Sequence, residues 1–358
     1  MSALRLFGLL GGVLFLVWTW RALRRSGPRA ALAPLTALSG VVLIALSLAP
    51  ALAGVASRLL DLSGFQGNRL ITVLVLAVVA LWMGFLLLLA RFKRMDADMD
   101  ALFRDTVLQA LETRATPPQA EAVLCVIPAL NEAHNLGSVL AAMPADIEGH
   151  PVQALVVDDG SSDGTAEVAE RHGAWVARVP TNRGGGAALR IGFDAAVRWQ
   201  SACVVTLDAD GQNRPEELHR LAEPVLSNES DIVIGSRILG THHRTNWWRH
   251  LGVLVFNRIF NALMGTNITD IASGYRAARP AWVGTLPLRQ DQYHTAEFLM
   301  LATKCGARIG ERPITFDRRL SGTSKKGAEL LYGMRFAYVL FRAWLRPLSR
   351  PPASVNPR

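Results

Sequence analysis

The sequence predicts an α/β domain that follows three hydrophobic segments, and two observations lead to this fold class. Between residues 123 and 234, short apolar stretches alternate with stretches of helical periodicity, which is typical of a mainly parallel sheet covered by helices. Ahead of them, the segments 4–20, 30–56 and 70–90 carry few charges. Each approaches or exceeds the roughly 20 residues that are needed to cross a bilayer.

The three hydrophobic segments are expected to form a membrane module of three transmembrane helices over residues 1–94. The first segment also resembles a signal peptide, but no small-residue cleavage site follows it closely, so we favour an uncleaved anchor. Basic residues lie between the first two segments and after the third, which puts those loops and the remaining chain on the cytoplasmic side. The prediction is a multi-pass protein of the cytoplasmic (inner) membrane with a cytosolic C-terminal domain. The basic residues are Arg21, Arg24, Arg25, Arg29, Arg91, Lys93 and Arg94.

The net charge of +9 and the pI of about 10.2 would also suit a nucleic-acid partner. No nucleic-acid-binding motif is present, however, and the basic residues cluster beside the hydrophobic segments, where anionic lipid is the nearer partner. Nucleic acid is therefore not expected to bind. The three cysteines, Cys125, Cys203 and Cys305, stand singly in apolar surroundings, which favours buried packing in a reducing compartment over disulfides or zinc ligation.

Residues 95–118 have mixed charge and apolar residues at nearly helical spacing, which predicts an amphipathic connector near the membrane. Pro117 and Pro118 end it and mark a domain boundary. The domain that follows, 119–326, contains the alternating elements. The predicted strands are 123–127, 154–157, 175–179, 203–207 and 231–234, and the predicted helices are 131–143, 165–172, 186–199 and 215–226.

Two later segments are expected to lie at a membrane interface. Residues 241–265 are basic and aromatic and then apolar, and Trp247 and Trp248 are typical of an interface. Residues 330–345 are apolar but interrupted by Arg335 and Arg342. A fourth span and an interfacial helix are both compatible with this pattern, and we favour the interfacial helix. The segment 327–358 is thus expected to form an interfacial helix and a tail.

The stretch from Val204 to Gln212 joins an apolar strand to two carboxylates, Asp208 and Asp210. Ligands of open α/β sheets bind beyond the carboxyl ends of the strands. Two Asp residues at positions i and i+2 point the same way if the strand pattern persists. They offer hard oxygen ligands to Mg²⁺ or Mn²⁺, which can hold a diphosphate. An ordinary strand-ending turn is the alternative, because Asp and Gly are common in turns.

A second strand end and a glycine-rich loop are further candidate sites. The strand 154–157 runs into Asp159, whose carboxylate could accept a hydrogen bond from a base or a ribose hydroxyl, while Asp163 suits a helix N-cap. Gly184, Gly185 and Gly186 precede a helix and allow the backbone to approach a phosphate or sugar closely. The loop is neither a Walker loop nor a dinucleotide-binding fingerprint.

Five motifs occur in the order that is seen in family 2 glycosyltransferases, and together they cover about residues 122–326. The chain most resembles the dolichol-phosphate mannose synthase and polyprenyl-phosphate glycosyltransferase branch of that family. The resemblance implies a GT-A (Rossmann-like nucleotide-sugar transferase) fold and inverting transfer from a nucleotide-diphosphate sugar. The motifs are Ile127-Pro-Ala-Leu-Asn-Glu132, Asp158-Asp-Gly-Ser-Ser-Asp-Gly-Thr165, Asn182-Arg-Gly-Gly-Gly186, Asp208-Ala-Asp-Gly-Gln212 and Asp270-Ile-Ala-Ser-Gly-Tyr-Arg276.

The resemblance also implies roles for individual residues. On the donor side, Asp159 would bind the base or ribose, and Asp208 and Asp210 would hold Mg²⁺ or Mn²⁺ on the diphosphate with Gln212 beside them. The other residues implied at the nucleotide sugar are Pro128, Leu130, Glu132, Gly186 and Ala209. Arg237 would lie near the donor diphosphate and Asp270 at the acceptor side. Arg319, Ser324 and Lys325 would belong to the basic loop that closes over phosphates. In the resembled branch, residues 241–265 would form helices on the membrane where a lipid acceptor enters.

The resemblance implies a membrane-bound enzyme that moves one sugar to a polyprenyl phosphate, undecaprenyl or dolichyl. Arg249 and Arg258 could pair with the lipid phosphate, although a solvated helix face explains Arg258 equally well. An acceptor phosphate is already an anion, whereas a sugar-hydroxyl or glycolipid acceptor in cell-envelope polysaccharide synthesis would need a base. Asp270 is the first candidate for that base and Glu297 the second, although a turn cap and a structural role are their alternatives.

The sequence also bears on processivity, on a non-catalytic role and on oligomeric state. No Gln-x-x-Arg-Trp motif, which processive synthases use, is present in the chain, so a single sugar is expected to be transferred per event. A degenerate, non-catalytic membrane scaffold is a third reading, and the intact Asp208 and Asp210 pair counts against it. A homo-oligomer is compatible with the sequence, which also leaves the donor sugar and its base open.

Overall fold

The computed structural model describes residues 3–24, 33–48, 68–114, 119–242, 247–292, 294–319 and 329–346. These residues divide into two compact units, with the boundary between Ala101 and Leu102. The first unit contains helices only, and the second contains the sheet.

In the first unit, helix α1 (Ala3–Arg24) packs against helix α2 (Ala33–Leu48), and helix α3 begins at Asn68. A side-chain carbon at Gly12 would lie 2.8 Å from the carbonyl oxygen of Gly40, so only glycine permits this approach of the two backbones. The hydroxyl groups of Thr19 and Thr36 are hydrogen-bonded at 2.6 Å. The two helices therefore meet through small and hydroxyl-bearing side chains, as packed membrane helices often do.

The large apolar side chains of α1 and α2 mostly point outward, among them Phe7 and Leu14 of α1 and Leu38 of α2. Within the ranges that the structure describes, no helix is both long enough and apolar enough to cross a membrane. Both ends of the second predicted span, 30–56, and most of the loop after it lie outside the described residues. The module of three spans therefore stays a prediction.

The second unit is built on an eight-stranded sheet. Strands β3, β1 and β5 are parallel neighbours at its centre, and β7 joins β5 to β6 in antiparallel pairing before β8 runs parallel to β6. The strands are β1 (Val123–Ala129), β2 (Asp146–Ile147), β3 (His150–Asp158), β4 (Trp175–Arg178), β5 (Cys203–Thr206), β6 (Ile232–His242), β7 (Arg276–Ala278) and β8 (Ile309–Phe316).

The five predicted strands all form, with ends displaced by a few residues, and the prediction of a mainly parallel sheet holds for β1, β3, β4, β5, β6 and β8. Three strands were not predicted. β2 and β7 have only two and three residues, which is too short to show a period. β6 extends to His242 because β8, which the sequence analysis missed, supplies its hydrogen-bonding neighbour.

Helices cover both faces of the sheet and produce two hydrophobic cores. Along β1 the alternation is strict, since Leu124 and Val126 point into one core and Val123, Cys125 and Ile127 into the other. The helices after α3 (Asn68–Arg114) are α4 (Ala133–Ala141), α5 (Thr165–Arg171), α6 (Gly185–Arg198), α7 (Leu218–Leu226), α8 (Trp247–Met264), α9 (Pro280–Thr285), α10 (His294–Lys304) and α11 (Glu329–Leu345).

The cysteines are free thiols, and Cys125 and Cys203 are buried between the strands and helices. Burial raises the pKa of the Cys203 thiol to about 12. Burial also raises the pKa of the Cys125 thiol, and the neighbouring Cys203 raises it further. Both thiols stay protonated at physiological pH and act as small apolar side chains.

Most of the segment 95–118, which was predicted to be an amphipathic connector, belongs to helix α3. Helix α3 continues without interruption through Arg114, and from Leu102 onward it belongs to the second unit. Val107, Leu108 and Leu111 are buried in the core beside α6. The apolar residues at helical spacing therefore pack in the sheet-bearing unit, and a position near the membrane stays a prediction.

The two predicted interfacial segments each contain one described helix, α8 and α11. Val255, Ile259 and Leu263 of α8 follow one another at helical spacing and are exposed on its outer side. The rings of Phe256 and Phe336 meet at 4.9 Å between centroids and join the two helices. The exposed large apolar side chains of α11 are Tyr338, Phe341 and Trp344. Residues 243–246 and 347–358 lie outside the described residues.

Candidate active site

Polar side chains collect beyond the carboxyl ends of the three central parallel strands. Glu132 follows β1, Asp159 follows β3, and Asp208 and Asp210 follow β5. Because these strands run in the same direction side by side, their ends open on one edge of the sheet, where open α/β sheets bind ligands. The sequence prediction that these motifs converge is in agreement with this topology.

Asp208 and Asp210 differ in their surroundings. Asp208 is exposed, whereas Asp210 is 8% exposed and accepts hydrogen bonds from the Gln212 backbone N–H at 3.1 Å and from Arg319 at 2.8 Å. The same guanidinium approaches Glu132 at 3.6 Å. Burial lowers the pKa of Arg319, but the hydrogen bond to Asp210 and the nearby carboxylates outweigh it and raise that pKa above its ordinary value. Arg319 is therefore a permanent cation between the ends of β1 and β5.

Contacts between the loop after β5 and the end of β8 hold Arg319 in this place. Arg214 binds the Asp317 carboxylate at 2.6 Å, and the Asp317 N–H donates to the carbonyl of Gln212 at 2.8 Å. The Gln212 side-chain amide donates to the Asp317 carbonyl at 3.3 Å. Gln212, which the resemblance put beside the metal, thus uses its amide nitrogen to fix the strand that leads to Arg319.

The carboxylates that follow β5 suit a divalent cation that also binds a substrate. Within the described ranges, no group of three or more His, Cys, Asp and Glu side chains is arranged to hold a metal ion. Mg²⁺, however, is commonly bound by one or two carboxylates together with substrate phosphates. The exposed carboxylate of Asp208 and the adjacent Asp210 could bind a cation in that way.

Asp159 and the glycine-rich loop are bound to each other. The backbone N–H groups of Arg183 and Gly184 donate to the two carboxylate oxygens of Asp159 at 2.8 and 2.7 Å. Burial raises the pKa of Asp159 above its ordinary value, and these two hydrogen bonds only partly oppose that effect. Asp163 anchors helix starts instead, accepting from the N–H groups of Ala133 and Thr165.

Gly186 is required for a contact within the protein. Its N–H donates to the carbonyl of Asp291 at 2.8 Å, and a side-chain carbon at this position would come within 2.1 Å of the Gln290 carbonyl oxygen. The segment 290–291 thus covers one face of Gly186, and the implied position of Gly186 against the nucleotide stays a prediction. Pro128 lies within β1, and Leu130 and Ala209 lie beyond the ends of β1 and β5.

Asp270 and Arg237 form a two-point ion pair. Nε and Nη2 of Arg237 donate to the two oxygens of Asp270 at 2.7 and 2.8 Å, and the Arg237 N–H adds a third bond at 3.1 Å. The Asp270 side chain is fully buried, and the guanidinium also lies 5.1 Å from the centre of the Phe316 ring. A general base needs an oxygen within reach of the acceptor proton. Both oxygens of Asp270 orient Arg237 in this structure, and its role as a base stays a prediction.

The loop that carries Asp270 is held from two sides. Glu311 of β8 accepts from the backbone N–H and the hydroxyl of Thr269 at 2.9 Å and from the Asp270 N–H at 3.2 Å. From α8, Asn257 bonds the Thr269 carbonyl and the Ile271 N–H. Asn261, one turn further along α8, accepts from the Ile268 N–H at 3.0 Å. The position of Asp270 is thus tied to helix α8.

Glu297, the second candidate base, is 1% exposed at the start of α10. One of its oxygens accepts from the backbone N–H groups of Arg289 and Gln290, both at 2.8 Å. This carboxylate fixes the segment that covers Gly186. The alternative of a structural role, which was open for Glu297, is the one that its geometry favours.

Of the remaining predicted residues, two lie in a described helix and two lie outside the described residues. Arg249 and Arg258 lie in α8, and Arg258 is exposed on its surface. Ser324 and Lys325 lie outside the described residues, so their roles stay predictions.

The family model described as Glycosyl transferase family 2 matches residues 124–285, which include the ends of β1, β3 and β5. An uncharacterized protein from Methanocaldococcus jannaschii is 35% identical over 199 residues, covering 54% of this chain and 80% of the relative. Polyprenol monophosphomannose synthase from Mycolicibacterium smegmatis is 35% identical over 230 residues, covering 60% of this chain and 84% of that protein. The chain belongs to glycosyl transferase family 2.

Two further comparisons agree with this assignment. Undecaprenyl-phosphate mannosyltransferase from Micrococcus luteus is 34% identical over 217 residues, which cover 57% of this glycosyltransferase and 86% of the relative. The crystal structure of glucosyl-3-phosphoglycerate synthase from Mycobacterium tuberculosis with Mn²⁺, uridine diphosphate and glucosyl-3-phosphoglycerate is similar with a TM-score of 0.51 and 22% identity, covering 68% and 84% of the two chains. At this identity the likeness concerns the fold, and it confirms the predicted GT-A-like α/β architecture.

Sequence reasoning missed residues that hold the site together. Asp317 stands directly after β8, and a carboxylate at a strand end was a usable signal once that strand was recognised. Asn257 and Asn261 are one helical turn apart within an apolar helix, a spacing that puts both amides on one face. Glu311 offered no local signal, because its contacts are to residues about forty positions away in sequence.

Proposed function

We propose that this glycosyltransferase moves a single sugar from a nucleotide-diphosphate sugar to a polyprenyl phosphate. The observation that carries the proposal is the state of the two carboxylates that could have served a hydroxyl acceptor. Asp270 is fully buried and paired with Arg237, and Glu297 is 1% exposed and accepts from two backbone N–H groups. An acceptor that arrives as an anion needs no such base.

The names of similar proteins support this acceptor class. The relatives from Mycolicibacterium smegmatis and Micrococcus luteus are named a polyprenol monophosphomannose synthase and an undecaprenyl-phosphate mannosyltransferase. A relative from Methanococcus voltae, 27% identical over 242 residues, is named for transfer of N-acetylglucosamine to dolichyl phosphate. These names agree on a polyprenyl-type phosphate and differ in the sugar, so the donor sugar is not part of the proposal.

On the donor side, Asp208 and Asp210 would hold Mg²⁺ or Mn²⁺ against the diphosphate. A bound divalent cation supplies Lewis-acid stabilisation of the negative charge that develops on the leaving diphosphate. Arg319 lies beside Asp210 and adds a fixed positive charge at the same place. Asp159 holds the glycine-rich loop, which borders the nucleotide edge of the site.

For the acceptor phosphate we propose Arg237, which the resemblance put near the donor diphosphate. Asp270 fixes its guanidinium through two oxygens, and this pre-organisation lowers the cost of clamping a phosphate. The attacking phosphate oxygen is already negatively charged, so the protein has to position it and to exclude water. Attack from the face opposite the leaving diphosphate would invert the configuration of the sugar.

We also propose that the enzyme acts at a membrane, with its catalytic domain in the cytosol. The exposed apolar side chains of α1 and α2 form a surface that is unusual for a soluble protein. The apolar outer side of α8 next to Arg258 would give the lipid acceptor a route to Arg237. Recovery of the full-length protein in the carbonate-washed membrane fraction would support this location, and recovery in the supernatant would contradict it.

The decisive experiment is a transfer assay with the full chain in detergent. The protein would receive Mn²⁺, a panel of labelled uridine- and guanosine-diphosphate sugars, and undecaprenyl or dolichyl phosphate. We expect one donor to give a singly glycosylated, acid-labile lipid. Transfer to the corresponding polyprenol, which carries a hydroxyl instead of the phosphate, would contradict the proposed acceptor. Donor binding without a lipid product would favour a sugar-hydroxyl or glycolipid acceptor, and no donor binding would favour a non-catalytic scaffold.

A further inference from the structure

The C-terminal turns of helix α3, residues 102–114, are fastened to helix α6 by a row of polar contacts. Arg104 binds Asp194 at 2.7 Å, and Arg198 of α6 binds Glu112 at 2.9 Å. The indole N–H of Trp199 also donates to Glu112, at 2.8 Å. Together with the buried apolar side chains beneath them, these contacts make residues 102–114 a fixed part of the catalytic unit, which we call the α3 brace.

The α3 brace reaches the glycine-rich loop as well as α6. The guanidinium carbon of Arg183 lies 4.8 Å from the centre of the Phe103 ring, a distance at which a cation is attracted by the aromatic face. Arg183 precedes Gly184, and both backbone N–H groups are held by Asp159. The side chain of this loop residue is thus fixed by the brace and its backbone by the end of β3.

The brace lies outside the part of the chain that matches the family model, which begins at residue 124. The donor-binding loop of this enzyme is therefore supported by a segment that the matched region does not include. We propose that Phe103 is a positioning residue for the donor nucleotide, which acts by holding Arg183 and the loop 182–184 in the conformation that binds a nucleoside diphosphate. The inference rests on the proposed function, because it assumes that this loop borders the nucleotide.

The proposed role of Phe103 depends on the aromatic face of its ring. If the ring acts through its aromatic face, Phe103→Tyr keeps the function, whereas Phe103→Leu keeps most of the apolar volume and loses the face. The expected loss for Phe103→Leu is roughly two- to fivefold in nucleotide affinity, the range for a partly exposed cation–π contact. It should appear as a raised KM for the donor with kcat nearly unchanged, because the loop binds the nucleotide equally before and during transfer.

The test measures binding of uridine diphosphate and guanosine diphosphate, each with Mn²⁺, to the full chain by calorimetry. The variants are Phe103→Leu, Phe103→Tyr and Arg183→Ala, with the Phe103→Leu change also made in the Arg183→Ala background. Arg104→Ala is the matched control, because it removes a contact between α3 and α6 without touching the Phe103 ring. Melting temperatures of all variants show how far each change loosens the fold.

We expect Phe103→Leu to weaken binding of the preferred nucleotide, Phe103→Tyr and Arg104→Ala to bind as the wild type, and Phe103→Leu to add nothing once Arg183 is alanine. Wild-type affinity in Phe103→Leu would overturn the inference. So would an equal loss in Arg104→Ala, or an undiminished effect of Phe103→Leu in the Arg183→Ala background. If the wild type binds neither nucleotide, the proposed function itself fails, which is a different result from equal binding by all variants.

Discussion

Asp270 binds Arg237 through both carboxylate oxygens, at 2.7 and 2.8 Å, and its own side chain is completely buried. Each oxygen is used to orient the guanidinium, so the aspartate acts through the arginine. Breaking one partner of such a buried pair leaves the other poorly compensated. The pair is therefore expected to respond to mutation as a unit.

Asp270→Asn should lower kcat about 10- to 100-fold, because one charge-assisted hydrogen bond to Arg237 is lost and the guanidinium loosens. Arg237→Ala should have a comparable effect, and the double variant should be no worse than the more damaged single variant. Steady-state kinetics of the three variants provide the measurement. A loss of activity in Asp270→Asn that is accompanied by loss of the acidic limb of the pH–rate profile would instead support a general base.

Asp208→Ala should abolish metal-dependent transfer, with a loss of at least about 100-fold, since an exposed carboxylate that can share a cation with the diphosphate is removed. The fold should be preserved because Asp208 is exposed, and the melting temperature checks this. Asp146→Ala, at an exposed carboxylate on the edge strand β2, is a suitable control. Activity close to wild type in Asp208→Ala at any Mn²⁺ concentration would contradict the metal assignment.

Arg319→Ala should change catalysis and metal binding in opposite directions. Transfer should fall about 100- to 1000-fold because a cation beside the leaving diphosphate is lost. Mn²⁺ alone should bind roughly two- to fivefold more tightly, because Asp210 no longer shares its charge with the guanidinium. Free Mn²⁺ can be followed by electron paramagnetic resonance. Arg319→Lys keeps the charge and should show the smaller effect on both quantities, and a weaker Mn²⁺ affinity in Arg319→Ala would contradict this account.

Donor binding should weaken on the acid side at a higher pH than an ordinary aspartate would produce. Burial raises the pKa of Asp159, so this carboxylate takes up its proton earlier as the pH falls. Protonation weakens its acceptance from the N–H groups of Arg183 and Gly184, which loosens the loop. The KM for the donor, measured between about pH 4 and 8, should rise toward low pH in the wild type. Asp159→Asn should give a higher KM with no such trend; a parallel trend in both proteins would exclude Asp159 as its cause.

Asp231 supports the fold away from the site, and its effect should depend on pH with a defined sign. Burial alone would raise the pKa of Asp231, but its bonds to the side chain and backbone of Arg308 outweigh burial and lower it. The stability contributed is therefore present above the unfolded-state pKa of about 3.9 and is lost as the pH falls through the lower folded-state value. Asp231→Asn should cost about 1–3 kcal/mol at pH 7 and progressively less below pH 4, as measured by denaturant unfolding.

The fold could be predicted where the sequence carries local signals. The apolar runs that became β1, β3, β4 and β5 are each followed by helical periodicity, and the carboxylates at their ends identified one edge of the sheet. β7 could not be predicted, because a three-residue strand has no readable period and its antiparallel pairing depends on β5 and β6 on either side. The assignment of residues 102–114 to the sheet-bearing unit was missed, since the apolar face of this helix suits such a unit and a membrane surface equally well.

The site could be predicted as a set of residue types but not as a set of contacts. The motif order correctly brought Glu132 and Asp210 to one edge, yet nothing local indicates that Arg319 bridges them. Asp270 was the first candidate for a base, in the case of a hydroxyl acceptor, because the resemblance puts it at the acceptor side. Its pairing with Arg237 joins residues 33 positions apart, and only the assembled sheet brings them into contact.

The inner and outer sides of helix α8 differ in their contacts. Its inner side fixes the loop of Asp270 through Asn257 and Asn261, while its outer side exposes Val255, Ile259 and Leu263. Substitutions of Val255, Ile259 and Leu263 are therefore expected to change what α8 meets on its outer side without removing a hydrogen bond that fixes the loop of Asp270.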